Sequence, residues 1–344
     1  MGKATIRDVA SAAGVSRQTV SRVLNERPDV AKETRDRVLQ VIEALGYHPS
    51  AIARSLTHQR TLTLGVVTAG LKFVGPSRTL NGIAEQAEQM GFALLLTELP
   101  RFDTADVRSI VHALLTRQVD GIIWAVPEVG NNRDWLRSQP TGLTVPTVFI
   151  AMQPRADLRT VSVDNCHGAR AATEHLLEQG YRRIAHLAGP LDWWEARQRK
   201  AGWQDALLAA GLEVTDHQWR SGNWSSASGD EAMRRLLDGY PEMDAVFVAN
   251  DQMALGALRV LCLRGMRVPQ DLAMVGFDGL PEAAYYCPPL TTVYQDQQKV
   301  GHIAVSELVQ AVEAKQEGMA GLEPRTIWLE PKLTVRESSM APAR

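Results

Sequence analysis

Arg17, Gln18, Ser21 and Arg22 fall within six residues, at spacings that share one side of a helix. Their types suit a definite chemistry. An arginine can donate two hydrogen bonds to guanine, and a glutamine can pair bidentately with adenine. Ser21 and Arg22 suit phosphates or a neighbouring base. A second group stands where short apolar runs end: Thr68, Arg101, Asp164, Asn165, Asn250, Asp251 and Asp278, with Arg197 early in a helix. Asp and Arg in such places clamp sugar hydroxyls through paired hydrogen bonds. Phe73, Trp193, Trp194 and Trp224 offer flat apolar faces for a pyranose ring. Each has a plainer alternative: Asn250 and Asp251 as helix caps, Trp224 as core.

The elements that must carry the first group follow from local pattern. Thr5 is a capping residue with Asp8 three positions on, and Ile6, Val9, Ala10 and Ala13 keep helical spacing. Gly14 stops this helix, and Ser16 can cap a second one running to about Asn25. Its Val20, Val23 and Leu24 point away from the Arg–Gln face. A third helix, about 32–45, carries Val38, Val41, Ile42 and Leu45 before Gly46. Two short helices on a tight turn with a third closing the core make a helix-turn-helix unit, whose second helix fits the major groove. A small helical subdomain with a wet charged face is the alternative; Arg and Gln among small residues, without Glu–Lys pairs, favour recognition. Residues 47–60 form a joint. After Pro49, residues 50–56 have helical propensity, but a helix below ~12 residues is marginal unless something holds it. Two such helices from a dimer, pressed into a minor groove with Leu56 as an apolar wedge, would meet that need. An ordinary linker with Leu56 packed on the body is the alternative.

The 344 residues suffice for about two domains, and 45% hydrophobic with 22% charged residues excludes a disordered chain. A net charge of −2 speaks against nucleic acid only as an average. Residues 1–60 carry ten Lys or Arg against six acids, a net +4, so the other 284 residues carry −6. A basic head on an acidic body suggests a polyanion-binding module on a carrier with another task. Cys166, Cys262 and Cys287 show neither metal spacing nor a disulfide framework. Without a signal-peptide pattern or ~18 consecutive apolar residues, a soluble cytoplasmic protein with no membrane partner is expected. No nucleophile elbow, metal-ligand cluster or phosphate loop points to an enzyme. Asp164 with Asp278 is the carboxylate pair that a glycoside-hydrolysing reading would require.

From Leu62 onward short apolar runs alternate with helices. Strands are expected at 62–67, 92–96, 121–125, 147–150 and 161–163, with helices at 81–90 and 105–115. The pattern then repeats, with helices at 168–179, 195–210 and 251–262 and strands at 184–188, 245–249 and 272–277. That describes two α/β units of about 130 residues, each with a parallel sheet, and the cleft between them is the default pocket.

Several stretches together resemble the LacI/GalR family of bacterial transcription regulators, over almost the whole chain. They are Asp8-Val-Ala with Ala13-Gly-Val-Ser-Arg-Gln-Thr-Val-Ser-Arg-Val-Leu-Asn25, Ala53-Arg-Ser-Leu56, His186-Leu-Ala-Gly-Pro-Leu191 and Gly222-Asn-Trp-Ser225. Val248-Ala-Asn-Asp-Gln-Met-Ala-Leu-Gly256 and Pro288-Pro-Leu-Thr-Thr292 complete the set. The resemblance implies an N-terminal helix-turn-helix headpiece with a hinge helix, then a two-subdomain α/β core like periplasmic binding proteins. The implied divisions are 1–48 for the head, 49–60 for the hinge, 61–162 plus 293–321 and 163–292 plus 322–337 for the subdomains, and a flexible tail at 338–344. The chain should cross between subdomains near Asp164, Val293 and Leu322. By the family pattern Arg17, Gln18 and Arg22 contact operator DNA, with Thr5, Ser16, Thr19, Ser21, Asn25 and Ala53 around them and Leu56 as the wedge. Arg197, Asn250 and Asp278 would hold a sugar effector, with Trp224 stacking near it. Phe73 and Pro76 would form an apolar wall, Gln295 would come from a crossover, and Arg101 would add to the site.

The chain also departs from the pattern. Ala125 stands for a strand-end asparagine, His167 for a pocket aspartate, and Trp193–Trp194 cover a pocket serine. Small polar groups are lost and aromatic surface is gained, which suggests an oligosaccharide or glycoside. The C-terminal residues lack apolar heptads, so a dimer is expected rather than a coiled-coil four-chain assembly. The implied function is repression of carbohydrate-utilisation genes, relieved by a sugar, with no cofactor. Two alternatives stay open: a co-repressor whose binding strengthens the grip on DNA, and a carbohydrate-binding or hydrolysing protein with an incidental head.

Overall fold

The structure, a computed structural model, describes residues 4–24, 27–47, 60–102, 107–138, 143–319 and 323–341. The chain divides into two compact units, Met1–Leu62 and Thr63–Arg344.

In the first unit, helices α1 (Ile6–Ala13), α2 (Arg17–Leu24) and α3 (Lys32–Ala44) close on Val9, Ala10, Ala13, Val20, Val23, Val38 and Tyr47. The Thr5 N–H and hydroxyl both donate to Asp8 Oδ2, at 2.8 and 2.7 Å, and hold that carboxyl below its usual range. Gly14 ends α1 at φ +63°, a left-handed conformation that costs glycine little. Ser16 Oγ then accepts the Thr19 N–H at 3.0 Å and opens α2. Asn25, Ala53 and Leu56 lie outside the described residues, as does the whole 48–59 segment.

In the second unit the described strands form two six-stranded sheets, one in each lobe. The first lobe begins with β1 (Thr63–Ala69), α4 (Val74–Gln89), β2 (Ala93–Leu99), α5 (Val107–Thr116), β3 (Gly121–Ala125), α6 (Trp135–Ser138), β4 (Thr147–Ile150) and β5 (Thr160–Val163). The chain then builds the second lobe. Its elements are α7 (Asn165–Glu178), β6 (Ile184–Ala188), α8 (Trp194–Ala209), β7 (Trp219–Ser221), α9 (Ser226–Gly239), β8 (Ala245–Val248), α10 (Asp251–Leu263), β9 (Ala273–Asp278) and β10 (Thr291–Tyr294). It returns with α11 (Gln297–Gln316) and β11 (Thr326–Leu329) to the first lobe, and ends the second with β12 (Lys332–Thr334). The sheet orders are β11-β5-β4-β3-β1-β2 and β12-β10-β9-β8-β6-β7. Only the pairing of β12 with β10 is antiparallel. In both sheets the strand order reverses beside the earliest strand, which opens a crevice at the carboxyl ends.

Two expectations are corrected, and a third shifts by a residue or two. The last crossing lies between Leu329 and Lys332 rather than near Leu322, because β11 pairs with β5 from Thr326↔Thr160 to Leu329↔Val163. Glu307 of α11 fixes this arrangement by accepting from both Arg159 and Arg325, the residues just before β5 and β11. The middle crossing follows Tyr294, since β10 pairs with β9 throughout. Residues 338 and 339 are buried rather than a flexible tail: Ser338 Oγ donates to Met274 O at 2.7 Å, and Ser339 Oγ lies 2.8 Å from His175 Nε2.

Glycine brings the helices of the first lobe together. A Cβ on Gly82 of α4 would lie 2.0 Å from the Gln298 carbonyl oxygen, and one on Gly301 of α11 would lie 2.4 Å from that of Thr79. No side chain fits there, so α4 and α11 meet backbone to backbone.

Candidate functional site

In the first unit Arg17, Gln18 and Arg22 are exposed along α2, opposite the buried Val20 and Val23. Arg22 Nη1 sits 3.3 Å from Asp29 Oδ2, in a pair whose side chains are each about half exposed. Such a surface pair holds an arginine only weakly. Ser16 and Thr19 are spent on the cap, their hydroxyls 3.0 Å apart; Thr5 is tied to Asp8; Ser21 is half-buried. A short capped helix thus presents an Arg–Gln–Arg edge of the kind that reads base edges and phosphates in a major groove.

In the second unit a cleft enclosing about 90 Å³ lies between the lobes, at the carboxyl ends of their strands. The first lobe lines it with Phe73, Val74, Pro76 and Thr79 around the start of α4, Ala125 and Pro127 after β3, and Ile150 and Ala151 after β4. The second lobe supplies Trp193, Glu195, Arg199, Trp224, Asn250, Gln252 and Asp278, and the middle crossing supplies Gln295 and Gln297. The first wall is mainly apolar and the second polar and aromatic.

Arg199 is the anchor of the polar wall. It is buried, with Nη1 3.2 Å from Asp278 Oδ1 and also donating to Ala249 O, and with Nε donating to Asn165 Oδ1 at 2.8 Å. Its guanidinium lies 3.9 Å from the centre of the Phe277 ring. Burial lowers the Arg199 pKa and raises that of Asp278, and each opposes the other's shift. Beside them Asp251 accepts from Thr292 Oγ1 at 2.6 Å and Leu280 N at 2.8 Å, yet burial pushes its carboxyl up to about 7. From Asp278 hydrogen bonds run into the first lobe. Gln295 Nε2 donates to Asp278 Oδ1 at 2.6 Å, Gln297 Nε2 to Gln295 Oε1 at 2.8 Å, and Thr79 Oγ1 to Gln297 Oε1 at 2.9 Å.

Trp193 meets Phe73, Phe102 and Trp224 edge-on, at ring-centre distances of 5.5, 4.8 and 5.8 Å. Its backbone forms an antiparallel bridge with Val129 of the first lobe, flanked by Gly130 N to Asp192 O at 2.8 Å and Trp194 N to Glu128 O at 3.0 Å. Trp224 fits flat over Gly189, where a Cβ would lie 2.2 Å from its ring. Among the described residues its buried Nε1 finds no acceptor. Ala151, Trp224 and Asp278 adopt φ of +54°, +72° and +111°. Such conformations cost about 1–3 kcal/mol each and cluster at functional sites.

Phe73, Pro76, Trp193, Trp224, Asn250, Asp278 and Gln295 therefore come together at the cleft. Asn250 caps α10 through Met253 N and also donates to Trp224 O at 3.0 Å, so it positions the tryptophan. Four expected residues stand elsewhere. Arg197 is exposed and donates to Leu191 O and Asp192 O, bracing the loop before α8; the cleft arginine is Arg199. Trp194 is buried away from the cleft and stacks on Trp328, 6.4 Å between ring centres. His167 is exposed beside Glu330, at 3.4 Å, and its N–H is taken by Asp164, which caps α7 outside the cleft. Arg101 is exposed in a separate open hollow with Lys72, Glu98 and Asp192. Glu195, Arg199, Gln252, Gln297 and Thr79 are the polar cleft residues that sequence reasoning missed. Arg199 carried a signal, as the second of two arginines in one helix; the others carried none.

Among the described residues no helix is long and apolar enough to cross a membrane, and no cluster of three His, Cys, Asp or Glu could hold a metal. Residues 5–50 match the bacterial regulatory proteins, lacI family, and residues 173–339 match the periplasmic binding protein-like domain. The lactose operon repressor of Escherichia coli (strain K12) is 34% identical over 310 residues, covering 90% of this chain and 85% of that protein. A crystal structure of the lac repressor dimer bound to operator and the anti-inducer ONPF is 33% identical, with a TM-score of 0.86 over 99% of this chain and all of that one. A complex of the transcriptional regulator CelR with cellobiose is 34% identical, with a TM-score of 0.71 over 98% of this chain and all of that one. The chain belongs to the lacI family of bacterial regulatory proteins, and is a sequence-specific DNA-binding repressor whose two-lobed core answers to an effector.

Proposed function

We propose that the chain works in the cytoplasm as a homodimer that represses carbohydrate-utilisation genes and leaves its operator when a sugar or glycoside enters the cleft. The observation that carries this reading is the cleft's two-sided chemistry. Trp193, Trp224 and Phe73 offer flat faces to a sugar ring, and the Arg199–Asp278 pair offers a donor and an acceptor for its hydroxyls. The likeness to the CelR–cellobiose complex supports a glycoside, and the likeness to the lac repressor dimer on operator supports a dimer on DNA. Two heads related by a two-fold axis match a pseudo-palindromic operator.

In this reading Arg17 and Gln18 read base edges, and Ser21 and Arg22 bind phosphates or a neighbouring base. Thr5, Ser16, Thr19, Asn25 and Ala53 support contacts to the DNA backbone, and Leu56 wedges the minor groove. Effector binding changes the set of the lobes and weakens the heads' grip. That coupling is reciprocal, so operator must weaken sugar affinity by the same factor.

Titrating an operator fragment with candidate sugars tests the proposal. Release of the DNA is expected. Tighter binding on adding sugar would establish the co-repressor mode instead, and equal sugar affinity with and without operator would reject the coupling.

A further inference from the structure

Three charged side chains line the cleft: Glu195, Arg199 and Asp278. The single cation is already committed. Arg199 gives Nη1 to Asp278 and Ala249 and Nε to Asn165, so its charge and that of Asp278 cancel. Glu195 is left over. Its Oε2 is shut off from solvent and takes no hydrogen bond from any described residue. Of the charges beside it, those of Arg199 and Arg133 favour its ionised form and that of Glu128 opposes it, yet none of the three gives Oε2 a hydrogen bond. Glu128 and Arg133, in the loop after β3, oppose each other, and neither lines the cleft. Arg133 is itself buried, with one nitrogen donating to Val126 O and its guanidinium 5.8 Å from the centre of the Trp124 ring. Glu128 Oε2 accepts the Gln153 N–H at 2.9 Å.

A buried carboxylate oxygen without a donor is costly, and a ligand that brings a donor removes that cost. A ligand that brings a second negative charge adds repulsion in a poorly solvated site. We infer that the cleft selects uncharged glycosides, and that Glu195 sets this choice by accepting a ligand hydroxyl and rejecting sugar acids and sugar phosphates. Burial, with the Glu128 charge adding to it, pushes the Glu195 carboxyl up to about 7 against a hydrogen bond from its own N–H and the Arg199 and Arg133 charges. That is the energetic mark of a carboxylate drawn out of solvent.

The inference rests on the sugar-effector reading, and one experiment separates the two. A panel of neutral glycosides, cellobiose and lactose among them, is titrated into the full chain, each matched by its uronic acid. The fluorescence of Trp193 and Trp224 reports binding, and the series is repeated with Glu195→Gln. Wild type is expected to bind a neutral member about tenfold or more tighter than its acid, and Glu195→Gln to close most of that gap. Equal affinities in wild type, or an equal gap in both proteins, overturn the role of Glu195 and leave the sugar reading standing. If no member of either series binds wild type, the sugar reading falls and the inference with it. The wild-type comparison needs no variant, so it decides the selectivity even where Glu195→Gln does not fold.

Discussion

Arg199 and Asp278 face each other at 3.2 Å in the wall of the cleft, and each offsets much of the other's cost of burial. Removing one partner leaves the other charged and buried. Arg199→Ala is expected to cost about 3 kcal/mol or more of stability and to abolish the effector response. Arg197→Ala, two residues earlier on an exposed face, is expected to cost only about 1 kcal/mol, for its hydrogen bonds to the loop before α8, and to keep the response. Thermal unfolding with operator release on sugar addition measures both.

On the head, Arg17→Ala is expected to cost about 1–3 kcal/mol of operator affinity and to relax preference at one base pair. Arg22→Ala is expected to weaken all DNA sequences alike and make the salt dependence shallower by about one ion. Binding titrations over a salt series, on operator and scrambled duplexes, distinguish a base contact from a phosphate contact.

Leu56→Ala probes the hinge. Loss of a wedge should reduce operator affinity far more than affinity for random DNA, since phosphate contacts remain. Equal losses on the two DNAs would rule out insertion.

The pH dependence of effector binding isolates Glu195. A hydroxyl donates to the ionised carboxylate, so binding favours the deprotonated form. Wild-type affinity is then flat above about 7 and falls as pH drops below it, by up to about tenfold per unit. Arg199, Glu128 and Arg133 face this group, and Asp251, beside Asp278, titrates in the same range. All of these remain in Glu195→Gln, so the difference between the two profiles belongs to Glu195.

Gly82→Ala is expected to destabilise the first lobe by about 1–3 kcal/mol, because its methyl would strike the Gln298 carbonyl oxygen. It should also part α4 from α11 and lengthen the Thr79–Gln297 hydrogen bond. A lower unfolding temperature together with a weaker effector response would report both effects.

The head was legible because its signals are local: Thr5 with Asp8, Gly14 at positive φ, and Ser16 with Thr19 each act within four residues. The lobes were legible as alternating strands and helices. Which residues face the cleft was less so. Successive helix residues turn by about 100°, so Arg197 and Arg199 point in nearly opposite directions, and sequence shows both without the phase. Trp193 and Trp194 pose the same problem across the first turn of α8, where one stays with the cleft and the other goes to Trp328. The last crossing had no local signal at all. The four residues of β11 owe their lobe to β5 and to Glu307, elements that the sequence does not announce as neighbours.

The three crossings also set the order in which the molecule becomes functional. The first unit carries its own core within Met1–Leu62, whereas neither sheet has its full set of strands until β11 and β12 are made. At about 5–20 residues per second, translation from residue 62 to residue 334 takes about 14–54 s. During that interval a nascent chain can present a DNA-reading surface while its sensing half is still incomplete. Control by ligand arrives last.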